Sequence, residues 1–177
     1  MVKSMKKKLV CVVTFSSLLV ACEVQEPPQE PSVVYDNKVT LTDFSYVEDL
    51  PLAKKEAYRD FLIDGNIIHL KSFSPEEMLL IMLDVVIETR MDALYAITYS
   101  NNDYPTIELF EQHYMNSLEG TLLETYFMYR FYDRIGMNEA STPDLKIVQI
   151  EIAGGSRRYS KTFALQMQEE IWKIHLP

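Results

Sequence analysis

Apolar positions along the chain fall into four successive textures. Residues 9–20 are apolar or small, without a charge. Residues 23–32, EVQEPPQEPS, hold almost nothing apolar. From Leu50 to Gly120 apolar side chains recur at helical spacing. Beyond Gly120 the run is rich in Tyr, Phe, Thr, Ile and Val, the residues that strands favour.

The helical part divides into pieces. Pro51 suits a first helical turn, and Leu50, Ala53, Ala57, Tyr58, Phe61 and Leu62 carry a helix over 51–63 that Asp64-Gly65-Asn66 stops. Ser74-Pro75-Glu76-Glu77 is a capping box with proline at the first helical position. The helix it opens, MLLIMLDVVIETR, is apolar around most of its girth, so it belongs at the centre of a core. Asp84 and Glu88, four apart, mark its expected solvent stripe with Glu77. A kink near Arg90 leads to a short helix, MDALYAITYS, which Asn101-Asn102-Asp103 breaks. After Pro105 a third helix places Ile107, Phe110, Tyr114 and Leu118 on one stripe and ends at Gly120.

The strand part begins with TYFMYRFYDRI, expected as a strand, with a continuing helix as the competing reading. Gly136 to Asp144 reads as a loop. Leu145–Ile152, Arg158–Gln168 and Ile171–Leu176 are strands, joined by a turn at Gly154-Gly155-Ser156 and a tight connection at Glu169-Glu170. Val39-Thr40-Leu41 is a further short strand after a turn at Asp36-Asn37. The expected class is α+β: two to three helices, then a curved, cone-like antiparallel sheet, with the helix at 51–63 in front.

The amino-terminal region changes the picture from fold to location. Lys3, Lys6, Lys7 and Lys8 precede the apolar run Leu9–Val20. Twelve residues of helix span about 18 Å, too short for a ~30 Å hydrocarbon core. The pattern is that of a secretory signal. Met5 would supply a complete charged start as well as Met1 does. Leu19-Val20-Ala21-Cys22 resembles the lipobox of bacterial lipoproteins. That resemblance implies a diacylglycerol on the Cys22 sulfur, cleavage before Cys22, and usually acylation of the new amino terminus. Cys11 is the weaker match, since Val10 is large and the position lies inside the apolar run. Glu23 is not the aspartate that holds such proteins at an inner membrane. The implied location is therefore the outer membrane, facing the periplasm. The alternative is that Cys22 is an ordinary thiol. The expected organisation is a signal peptide over 1–21, lipidated Cys22 and a tether over 22–35, and one domain over 36–177 with its core at 74–177. Proline-rich chain extends ~3.1 Å per residue, so EVQEPPQEPS would lift the domain about 30 Å.

Charge narrows the partners. Four of the 17 basic residues and none of the 26 acidic ones precede Cys22, so the chain from Cys22 onward carries 13 basic and 26 acidic side chains, a net −13. Nucleic acid, which demands clustered Lys and Arg, is excluded, and flat binding to anionic lipid is disfavoured. Small apolar ligands and basic proteins fit. Loss of Cys11 with the signal leaves one cysteine and no internal disulfide.

Catalytic patterns are sparse. His69, His113 and His175 form no metal-type pair, and there is no HExxH, GxSxG, Walker loop or GxGxxG. No catalytic residue, metal or cofactor is expected. As a strand, the aromatic run puts Phe127, Tyr129 and Phe131 on one face and Tyr126 and Tyr132 on the other. Tyr126, Tyr129 and Phe131 are the candidate contacts for a flat apolar ligand, with core packing as the alternative. Trp172 reads as a core anchor.

Three short motifs carry a second resemblance: Ser74-Pro75-Glu76-Glu77, Met91-Asp92-Ala93-Leu94-Tyr95, and the closing Ile171-Trp172-Lys173-Ile174. Over about 74–177 the chain resembles the nuclear transport factor two-like superfamily, most of all its small bacterial lipoproteins. The resemblance implies a sheet wrapped around helices with a conical pocket, used for catalysis, for ligands, or not at all. Glu170-Ile171 stands where the family usually has glycine before Trp-Lys. Three functions follow as expectations. The first is a membrane-tethered, non-enzymatic binding domain. The second is an immunity or exclusion lipoprotein that neutralises a basic toxin. The third is an isomerase or dehydratase-type enzyme using His113 with Tyr114 in the cone.

Overall fold

The apolar girth of one helix dictates the arrangement of everything around it. In the computed structural model, which describes residues 44–100 and 103–177, helix α2 (Pro75–Ile87) is enclosed on several sides. Its start is the expected capping box. The Ser74 hydroxyl accepts from the Glu77 N–H at 3.3 Å, and the Glu77 carboxylate accepts from the Ser74 N–H at 2.7 Å. Every residue from Met78 to Val86 is buried. Helices α3 (Met91–Ile97) and α5 (Glu119–Met128) and strands β1 (Arg134–Met137), β2 (Leu145–Gly154) and β4 (Ile171–Ile174) pack against α2.

Helix α1 (Leu52–Asp64) precedes this core and ends at Gly65, whose φ of 70° lets its N–H reach the Phe61 carbonyl at 2.8 Å. The expected break near Arg90 is present, with Thr89 at φ 55°. Helix α4 (Ile107–His113), a π-helical turn (Tyr114–Leu118) and α5 follow one another without interruption. The sheet is an open, curved antiparallel meander in the order β1-β2-β3-β4, with β3 at Arg157–Gln168. Val148 lies opposite Phe163, and Leu165 opposite Ile174, so these buried residues share the face turned to the helices. The Tyr99 N–H bonds the Ile174 carbonyl at 2.8 Å and ties the end of α3 to β4.

The α+β class and the order of helices before sheet are as the pattern predicts. Three local expectations change. The aromatic run is helical to Met128, and only its tail, Arg134 and Ile135, enters β1. Gly120 lies inside α5 rather than at a helix end. Asp84 is buried rather than on a solvent stripe, although Glu88 is exposed. The first change has a clear cause. Phe110, Tyr114, Leu118, Leu122, Tyr126 and Tyr129 are all buried, at steps of four and finally three. In an α-helix each step of four drifts about 40° around the axis. The wider π turn at Tyr114–Leu118 brings the stripe back toward the core. Packing of this stripe overrides the strand preference of Tyr and Phe.

The signal peptide, Cys22, the tether, the Val39-Thr40-Leu41 strand and Asn101-Asn102 lie outside the described residues. Among the described residues no helix is long and apolar enough to cross a membrane.

Candidate functional site

The segment that leads into α1 is fixed to the core by hydroxyls. Ser45 Oγ donates to Asp84 Oδ1 at 2.7 Å, and the Tyr58 hydroxyl donates to Asp84 Oδ2 at 3.1 Å. The Tyr46 hydroxyl donates to the Tyr126 carbonyl at 2.8 Å. Asp84 is 5 % exposed, and its two oxygens each accept from a neutral donor, which is how an interior carboxylate is made tolerable. Burial, then the adjacent Asp84, pushes the Tyr58 hydroxyl far above its ordinary range. Burial and Asp84 also raise the Glu88 carboxyl. This cluster fastens the entering segment to α2 and α5.

Beside it opens a cleft of about 360 Å³ between the entering segment and the end of α5. It is lined by Phe44, Ser45, Tyr46 and Asp49 together with Arg130, Phe131 and Tyr132. Aromatic contacts set its shape. Phe44 meets Tyr46 edge-on at 5.0 Å and Phe131 at 5.7 Å, and Tyr46 stacks on Tyr132 at 6.2 Å. The Arg130 guanidinium leans on both Phe44 and Phe131, at 5.1 and 5.4 Å from the ring centres. Its Nε is buried without a hydrogen-bond partner, and no carboxylate among the described residues lies within ion-pair distance. Burial, then Asp49, raises the Tyr132 hydroxyl. The cleft is therefore lined by a cation held against aromatic rings and by a carboxylate.

The sequence candidates scatter around this arrangement. Phe131 is 72 % exposed and forms a wall of the cleft. Tyr126 and Tyr129 are core residues of the helix end and do not line it, because the helix turns them inward. Tyr129 does not share a strand face with Phe131, because the run up to Met128 is helical. The Tyr126 hydroxyl is buried without a partner. Trp172 is partly buried, with Lys146 Nζ 5.8 Å above its ring. His113 packs on Tyr104 at 5.2 Å, while Tyr114 is buried. His69 bonds Asp64 at 3.0 Å. His175 packs on Tyr99 at 4.3 Å and bonds Gln166 at 3.3 Å. The three histidines thus stand in separate places. Among the described residues no group of three His, Cys, Asp or Glu is placed to hold a metal ion.

Sequence reasoning passes over Phe44, Asp49 and Arg130. A signal for Arg130 exists: it is the single cation between Tyr126 and Tyr132 in an aromatic run. A second groove, of about 250 Å³, lies along β1 and β2 and includes Asn138, Gln149 and Glu151. Asn138 donates to Gln149 at 3.0 Å and Gln149 to Glu151 at 2.8 Å, so these groups satisfy one another. The cleft at Arg130 is the stronger candidate for an outside partner. Comparison of the chain with family models, with curated proteins and with solved structures finds no match.

Proposed function

We propose that the chain is an exported, lipid-anchored protein whose folded part is a non-enzymatic binding domain. The observation that carries this reading is Leu19-Val20-Ala21-Cys22, placed directly after a lysine-rich start and a twelve-residue apolar run, Leu9–Val20. The binding part of the reading is supported by the cleft at Arg130, where a guanidinium lies against aromatic side chains. The anchor would sit in the outer membrane and the domain would face the periplasm.

The test is Cys22→Ser with fractionation of cells. Wild type is expected in the membrane fraction and the variant in the soluble fraction or as an uncleaved precursor. A cleaved Cys22→Ser chain that stays fully membrane-bound would refute the anchor.

The net charge of −13 from Cys22 onward favours a second reading, an immunity or exclusion protein for a basic toxin. That reading expects a tight basic partner whose association slows steeply with salt.

A further inference from the structure

The polar groups that line the Arg130 cleft divide into those the fold satisfies and those it does not. The Ser45 hydroxyl donates to Asp84 and the Tyr46 hydroxyl to the Tyr126 carbonyl, so the core engages both. Arg130 and Asp49 differ. The Arg130 Nε is buried without an acceptor. Neither Arg130 nor Asp49 belongs to an ion pair among the described residues. The two carry opposite charges and line one cleft, yet stand farther apart than a direct ion pair allows. A buried donor without an acceptor costs stability unless something outside the chain supplies one. A guanidinium presents its donors in a planar fork that a carboxylate matches. Phe44 and Phe131 preset this fork, with the guanidinium 5.1 and 5.4 Å from their ring centres.

Size and charge narrow the occupant. A cleft of about 360 Å³ lies near the small end of ligand pockets, which run from ~300 to ~1,000 Å³. One small molecule that fills it meets both charged groups. A simple anion would be repelled by Asp49 and by the net charge of −13 from Cys22 onward, and a simple cation by Arg130. A molecule with an ammonium and a carboxylate close together complements both. The rest of the lining is aromatic, with Tyr46 stacked on Tyr132 at 6.2 Å, and suits an apolar or flat body. We propose that the cleft binds a small zwitterion, an α-amino acid with an apolar side chain. Its carboxylate lies on Arg130, its ammonium at Asp49, and its side chain by Tyr46 and Tyr132. The proposal rests on the binding-domain reading, whose ligand class it names, and is independent of the anchor.

The experiment uses the full acylated chain in mild detergent, titrated calorimetrically with three probes. These are L-phenylalanine, hydrocinnamate, which lacks the ammonium, and phenethylamine, which lacks the carboxylate. Phenylalanine is expected to bind at least tenfold tighter than either. Arg130→Gln should remove its advantage over phenethylamine, and Asp49→Asn its advantage over hydrocinnamate. Asp49 is exposed, so its variant keeps the test valid where Arg130→Gln fails to fold. Hydrogen exchange of the wild-type chain should show protection of 44–49 and 130–132 by phenylalanine. Equal affinities for the three probes, with protection of those segments, would overturn the zwitterion and leave the binding-domain reading standing. Phenylalanine binding that neither substitution weakens would place the ligand outside the cleft and overturn the proposal. No binding of any probe at millimolar concentration, and no protection of those segments, would overturn the ligand class and remove the cleft's support for the binding-domain reading as well.

Discussion

Asp84 shows how a single side chain can fix a boundary of the fold. It is the only charged residue buried among the described ones, and its oxygens accept one from Ser45, before α1, and one from Tyr58, within α1. Asp84→Leu should destabilise the protein by about 2–4 kcal/mol, because the Ser45 and Tyr58 hydroxyls lose their acceptor. Adding Ser45→Ala and Tyr58→Phe should recover most of that loss in a denaturant titration, since no donor is then left unpaired. Periodicity could not reveal this residue. A lone carboxylate in an apolar run reads as a solvent stripe, and its partners lie 39 and 26 residues away. His175 is a second case. Burial lowers its pKa from the ordinary 6.5, so the fold favours the neutral ring. Its contribution is fully present above about pH 6.5 and is lost as pH falls through the lower folded value. Thermal melts of wild type and His175→Gln should therefore diverge below pH 6.5, with wild type falling faster. At the hairpin between β3 and β4, Glu169 and Glu170 both hold positive φ, 54° and 65°. That conformation costs residues other than glycine and asparagine about 1–2 kcal/mol each. Glu169→Asn with Glu170→Gly should stabilise the domain by about 1 kcal/mol, even though the exposed Lys71–Glu170 pair is lost.

Elements with a start signal and a strong period were legible. The capping box at Ser74 placed α2, the Ile- and Val-rich run placed β2, and the Gly154-Gly155 turn placed β3, each strand to within two residues. The rod from Ile107 to Met128 was only half legible. Gly120 and the Tyr- and Phe-rich composition argued for a boundary, whereas the buried stripe continued through both. Gly120 is tolerated because it is exposed and nothing lies within 4 Å of where its Cβ would be. Gly120→Ala should accordingly raise stability by about 0.5–1 kcal/mol, measured as a shift in denaturant midpoint. A loss would mean that this turn of α5 is not helical in solution. The cleft was the least legible part. It forms where residues 44–49 meet residues 130–132, and no sequence period connects segments so far apart.

For the molecule as a whole, the proposed anchor and the described fold lie in different parts of the chain. The short apolar run and Cys22 are what the proposed export and lipidation rest on. The folded part is built around α2, and its candidate cleft forms where residues 44–49 meet residues 130–132. The central claim about function is that the chain is tied to a membrane. Intact-mass spectrometry of the protein extracted from membranes with mild detergent tests this most directly. The account predicts a chain starting at Cys22, 156 residues long, heavier than its sequence mass by a diacylglycerol and usually a further acyl group. A chain that retains Lys6, Lys7 and Lys8, or one cleaved elsewhere and carrying no lipid, would contradict it.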